Sequence, residues 1–364
     1  AGPGSPRVLS VLAAEAARAG RSEEAAGLLA RALSWNETIE SGLATVIDLT
    51  LGEAVGRLGY VRASRDLLTR GLERPLSSVA QSRYRAEVGE LMRRRGELWR
   101  RAGDLSCRLG EYEAALDAYT RSADGPMLDP AAATPRRMHA LLRLGNPAGA
   151  ALAVVEDLKA GGTRVERRHL ESIRFLAAST GEGPRLAASL QEMAAAAGTT
   201  LTPTSRTTLT RAAAAALPEG EARALLLRHL TAGPADPDAL GQLLGTFAPE
   251  EVSARAGMLV GLVEARPDHA GIAAAVVLQR GVGVDATTDL LAADERPAAR
   301  LIASSLLLRL GRADLAAARM RSAPWSAPFL AAALEARAAA ALVLSDRAEL
   351  DAVQRELESL GEGG

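Results

Sequence analysis

The residues able to do chemistry are few in this chain and widely spaced. Its four histidines are His139, His169, His229 and His269, and none falls into His-Glu-x-x-His or another spacing that would set two imidazoles on one metal. Cys107 is the single cysteine, which excludes an intramolecular disulfide and a thiolate cage. Its setting in a helical stretch reads as a small packing thiol. There is no Gly-x-x-x-x-Gly-Lys-Ser/Thr phosphate loop, no Gly-x-Ser-x-Gly elbow and no adjacent aspartate pair to hold magnesium and a diphosphate. Gly281-Val282-Gly283-Val284-Asp285-Ala286 has the spelling of a dinucleotide loop after Val276-Val277-Leu278. That spelling has meaning only between a strand and a helix of a parallel sheet, and here it reads as a loop between helices. The expectations are no catalytic residues, no metal, no cofactor and no enzyme.

One local charge bias stands out. The stretch 83–101 carries Arg83, Arg85, Arg93, Arg94, Arg95, Arg100 and Arg101 against Glu87, Glu90 and Glu97. Such a face could hold an acidic peptide or a phosphate. It also has the make-up of an ordinary solvated helix side with partners such as Glu97 and Arg101. The chain as a whole has a net charge of −1, so no global field draws it to nucleic acid or to an anionic membrane. Nearly every basic residue is arginine, with Lys159 the only lysine, which suits a GC-rich bacterial genome.

The elements that must position these residues are helices. Hydrophobic residues make up 48% of the 364, aromatics only 3%, and alanine and leucine dominate. That composition favours helices packed closely through small side chains over sheets, which draw on valine, isoleucine and aromatics. The clearest unit is Trp99 to Tyr119. Trp99, Ala102, Gly103 and Ser106 share one side at steps of three and four, widened by Leu98, Leu105 and Leu109. Glu97, Arg100, Arg101, Asp104 and Arg108 fall opposite. Gly110 can take the left-handed conformation that ends a helix, and Ala114, Ala115, Leu116 and Tyr119 stripe a return helix.

This stretch resembles the tetratricopeptide repeat, whose pattern is Trp-x-x-Leu-Gly-x-x-Tyr, then Ala-x-x-x-Phe, then Pro. The chain offers Trp99-x-x-Ala102-Gly103-x-x-Ser106 and Ala115-x-x-x-Tyr119, with prolines at 126 and 130. It departs at Ala102, at Ser106 and in the proline's place. The resemblance implies an all-α, right-handed superhelix of stacked antiparallel helix pairs, with the first helix of each pair lining a concave surface. By that implication Arg93, Glu97, Arg100, Asp104, Arg108, His139 and Arg143 face the groove and touch a partner.

Further copies follow along the chain. Turns are expected at Gly20, Gly59, Gly145, Gly181 and Gly311, and the steps from Gly110 to Gly145 and on to Gly181 are 35 and 36 residues. The wider step of 51 from Gly59 to Gly110 predicts one long helix near 78–109. Residues 1–5 read as a remnant of cloning, 6–200 as repeats, and 201–364 as a degenerate continuation closed by capping helices. No run of about 18 apolar residues is evident, so no membrane span is expected. Asn36-Glu37-Thr38 matches a glycosylation acceptor by pattern alone. The expected function is a cytoplasmic, non-catalytic scaffold that binds a protein or peptide, acidic if it matches the arginine bias, with a homo-oligomer left open. Two alternatives remain at this point: a sensor segment of a larger bacterial signalling or transcription regulator, and an all-helical enzyme.

Overall fold

The computed structural model describes residues 6–33, 41–75, 85–123, 133–161, 167–196, 202–233, 235–248, 250–281, 283–321 and 324–361. Expectations at 1–5, 34–40, 76–84, 124–132, 162–166, 197–201 and Val282 therefore lie outside them; these include the glycosylation pattern and the prolines at 126 and 130. The chain divides into two units, Ala1–Leu201 and Thr202–Gly364. Every regular element among the described residues is helical.

In the first unit the helices run α1 (Pro6–Arg18), α2 (Ser22–Leu33), α3 (Ser41–Arg57), α4 (Val61–Glu73), α5 (Arg85–Arg93), α6 (Arg95–Arg108), α7 (Tyr112–Ala123), α8 (Ala133–Arg143), α9 (Pro147–Gly161), α10 (Arg167–Thr180) and α11 (Gly183–Ala196). They pack as pairs: α1 with α2, α3 with α4, α6 with α7, α8 with α9, α10 with α11. Each new pair lies against the one before, α3 on α1, α6 on α4, α8 on α7 and α10 on α8. The turns within all five pairs are made the same way, by a glycine at positive φ: Gly20, Gly59, Gly110, Gly145 and Gly181, between 70° and 88°. An L side chain there would meet its own backbone, so the glycine fixes where each first helix ends.

What holds a pair together is a close approach at small residues. A Cβ on Gly103 of α6 would stand 2.5 Å from the Tyr119 ring of α7, and one on Gly52 of α3 would stand 2.8 Å from Leu68 of α4. In both pairs the large residue follows the glycine by the same sixteen positions (119 − 103 and 68 − 52). Ser64 donates to the Gly52 carbonyl at 2.6 Å in that same contact. The expected buried face of the central helix is borne out, with Leu98, Trp99, Ala102, Gly103, Leu105 and Ser106 buried and Gly96 added to them.

The long helix expected near 78–109 is not continuous. Within 85–108 it is two helices meeting at Arg94, whose backbone sits at φ −95°, ψ 12°. The Arg94 N–H bonds to the Leu91 carbonyl three residues back, at 3.1 Å, so the ladder tightens there. The Arg94 guanidinium spans Glu53 of α3 (3.0 and 3.4 Å) and Glu97 (3.1 Å to each oxygen). A second buried knot joins α3 to α4: Asp48, only 3% exposed, accepts from Arg70 and from Arg74 at 2.6 Å.

The second unit contains α12 (Pro203–Ala216), α13 (Glu219–Ala232), α14 (Pro237–Leu244), α15 (Val252–Ala265), α16 (Ala270–Arg280), α17 (Val284–Ala293), α18 (Pro297–Arg309), α19 (Ala313–Arg321), α20 (Ala327–Leu344) and α21 (Arg347–Gly361). Serial pairing loosens here, because α18 packs on α15, α16, α17, α19 and α20. Arginines tie its loops: Arg266 donates to the Gly233 carbonyl at 2.5 Å, Arg255 to Ala248 at 3.0 Å, Arg319 to Ala292 at 2.5 Å, Arg280 to Gly241 and Arg223 to Thr246. Carbonyls near helix C-termini attract such cations, and the Gly241 oxygen accepts from the Gly245 N–H as well. Gly281 and Gly283 flank a turn between α16 and α17, and Val276 and Val277 lie in α16, so the dinucleotide spelling sits between helices as expected.

The expectation that no long apolar run exists needs correction at α20. This helix of 18 residues has mean hydropathy 1.6 and is long and apolar enough to cross a membrane by length and composition, with 28% of it buried inside the unit. Its alanines carry that average past Glu335 and Arg337. Arg337 is paired with Glu349 at 2.9 Å and Glu356 at 2.9 Å, which ties α20 to α21.

Two outcomes follow for stability. Gly103→Ala places a methyl against a ring that is 2% exposed, and thermal unfolding followed by far-UV circular dichroism should register a loss of about 1–3 kcal/mol. Asp236 caps α14 by accepting from the Asp238 and Ala239 N–H groups at 3.0 Å each. Burial pushes its carboxyl up, but the His229 imidazole 3.6 Å away, the Ala239 N–H and Arg211 outweigh that and hold it below the usual carboxylate range. A folded-state pKa below the unfolded one adds stability at neutral pH that fades as pH falls through the folded value. Asp236→Ala should therefore lower stability by about 1 kcal/mol at pH 7 and by progressively less as the solution is acidified below the carboxylate range.

Candidate functional site

The turn glycines give a common register for the first helices of the pairs. Six residues before Gly59, Gly110, Gly145 and Gly181 stand Glu53, Asp104, His139 and Phe175; nine before Gly110 and Gly145 stand Arg101 and Arg136; two before Gly59, Gly110 and Gly145 stand Arg57, Arg108 and Arg143. The structure joins these positions across neighbouring pairs. Arg101 of α6 donates to Glu53 of α3 at 3.1 Å, and Arg136 of α8 donates to Asp104 of α6 at 2.8 Å. Each is a rung from an acid on one first helix to an arginine on the next. The rungs repeat the same two positions, so each ties a first helix to the next by a side-chain bridge.

Asp104 is a junction. It also accepts from the Tyr119 hydroxyl at 2.9 Å, and that hydroxyl stands 3.5 Å from the Cys107 sulfur. Burial pushes both the Tyr119 phenol and the Cys107 thiol up from their ordinary values, so both stay protonated. The carboxylate is thereby held from the core side by α7 and from the flank by α8.

At α8 the series changes character. Where the two first helices before it have acids, α8 has His139, whose ring meets Tyr112 edge-on at 6.0 Å between centroids. Arg143 donates to His139 Nε2 at 3.5 Å. Burial and the Arg143 charge hold this imidazole below the usual histidine range, so it is neutral at pH 7. At the same register on α10 is Phe175, 71% exposed, the most exposed large apolar side chain among the described residues.

The residues expected to face a partner are thus only partly brought together. Glu97, Arg100, Asp104 and Arg108 share α6, and His139 and Arg143 share α8, which touches α6 through the Arg136–Asp104 rung. Arg93 lies apart on α5, beyond the break at Arg94, paired with Glu90. The hydrogen bond from Arg94 draws the Glu97 carboxyl below its ordinary range. Arg100 is half-buried, with Glu97 within electrostatic reach. Arg108 is exposed and has no partner among the described residues. Sequence reasoning missed Glu53, Arg101 and Arg136 as rungs and Phe175 as the next position in the series; counting from the turn glycines would have found all four. Among the described residues no group of three or more histidine, cysteine, aspartate or glutamate side chains could hold a metal ion.

In class, then, the described residues are all-α, and the first unit is a serial stack of antiparallel helix pairs with glycine turns. No family model matches the chain, and no curated protein does. Matches to solved structures number 52 chains. One is the structure of Naa15/Naa10 bound to HypK-THB, 15% identical, with the alignment covering 100% of this chain and 74% of that one at a TM-score of 0.29.

The rungs make a measurable claim. The Arg136 and Asp104 side chains are 37% and 41% exposed, so solvent screens much of their attraction. A double-mutant cycle on Asp104→Asn and Arg136→Gln should return a coupling of about 0.5–1 kcal/mol, falling as salt is raised.

Proposed function

We propose that this chain is a non-catalytic interaction scaffold, in which the first helices of a tetratricopeptide-like solenoid hold a peptide or a partner protein on the concave face of a right-handed superhelix. The observation that carries the reading is the aligned series of first-helix positions. Its buried side is used up by packing, and its other side carries the half-buried Arg100 and the exposed Arg108, Arg143 and Phe175, at whole-turn intervals of ten, two, two and six residues before their turn glycines. A stack of pairs repeats a binding position at each step, which suits an extended partner better than a small substrate. The reading places the protein in a bacterial cytoplasm, where its one thiol stays reduced.

The test is site-specific photocrosslinking of the full chain in cells. A crosslinking residue in place of Arg100 should give discrete protein adducts, and one in place of Glu113, exposed on the second helix α7, should give few or none. Adducts absent from both positions, or equal at both, would overturn the reading.

A further inference from the structure

The rungs use up the acids of the first helices but leave cations beyond them. Arg57, Arg108 and Arg143 each sit two residues before a turn glycine, one helical turn past Glu53, Asp104 and His139. All three are exposed. Arg57 and Arg108 have no partner among the described residues, and Arg143 meets only the neutral His139, at 3.5 Å. A last-turn arginine favours its own helix dipole by a few tenths of a kcal/mol to about 1 kcal/mol. That accounts for the residue type, but it leaves the guanidinium donors open to an anion. Beside this row, on the next first helix, stands Phe175, 71% exposed.

We propose that Arg108, Arg143 and Phe175 form one docking strip for an extended acidic peptide segment that carries a large apolar side chain. Charge complementarity selects the acid: the guanidinium forks donate paired hydrogen bonds to carboxylates. Geometry selects the spacing. Packed helices lie about 8–10 Å apart, and three residues of extended chain span about 10 Å. Carboxylates three residues apart therefore reach Arg108 and Arg143, and an apolar residue three further on reaches Phe175. This deepens the scaffold reading and rests on it.

The experiment is fluorescence anisotropy on the full chain. The probe is a labelled synthetic peptide with two glutamates three residues apart and a leucine three residues after the second, set in a serine-rich background. Control peptides replace both glutamates by glutamine, or the leucine by serine. The glutamate–leucine peptide should bind and should weaken as salt rises. Arg108→Glu and Arg143→Glu should each weaken it about tenfold, matching the glutamine control. Phe175→Ser should abolish the preference for leucine over serine. All three side chains are exposed, so the variants should keep the wild-type helical spectrum, and the two arginine reversals should lower the melting temperature by no more than a few degrees through the helix dipole. Failure of the glutamate–leucine peptide to bind, or binding indifferent to both arginine substitutions, would overturn the strip. Crosslinks from position 100 that persist in Arg143→Glu alongside such a failure would leave the scaffold standing with its partner bound elsewhere; absence of crosslinks from position 100 with Arg143 intact would remove the scaffold itself.

Discussion

One steric constraint governs two neighbouring pairs of the first unit: α3 with α4, and α6 with α7, approach closely where a side chain is missing. Tyr119 occupies the space over Gly103, and Leu68 the space over Gly52. Burial of a large side chain against bare backbone removes apolar area from water and leaves no void. Because contact and turn glycine keep a fixed interval, seven residues in both pairs (110 − 103 and 59 − 52), the approach also sets which first-helix residues point away from it. The acid–arginine rungs inherit their alignment from that packing.

Arginine does the polar binding throughout. In the first unit it joins first helices to each other and draws Asp48 into a buried knot with Arg70 and Arg74. In the second it reaches carbonyls far along the chain, as Arg266 does at Gly233. It also stacks on rings, Arg121 over Trp99 at 4.8 Å and Arg223 over Phe247 at 4.1 Å. A lysine could serve as a point charge in some of these places, but it has no planar fork or face for stacking. The genome's base composition can supply arginines; the fold gives many of them specific contacts.

Much of the repeat architecture was legible in the residues. Glycine turns and three–four apolar spacing located every helix pair of the first unit, because most helices there have one buried side and one wet side; α3, exposed only at Arg57 among its described residues, was placed by the turn at Gly59. The break at Arg94 was not legible, since Val88, Leu91, Leu98 and Trp99 keep a helical period across it; its polar anchor, Glu53, lies 41 residues away. The rungs were hidden for the same reason, with partners 48 and 32 residues apart. The pattern blurred around α18 because neighbours surround that helix, burying Ala298, Ala299, Leu301, Ile302, Ala303, Ser304 and Leu306 and leaving no clean stripe to read. Phe175 escaped notice because attention to charge passes over an exposed ring.

The rungs also bear on how such a chain can change length. Glu53 reaches forward to Arg101, and Asp104 reaches forward to Arg136 by the same offset from the turn glycine. Excision of the module between them would bring Glu53 opposite Arg136, acid to guanidinium once more. Duplication would set the first Asp104 opposite the second Arg101 and leave the second Asp104 to meet Arg136. Neighbouring modules thus carry matching male and female ends, and recombination can add or remove one without stranding a charge.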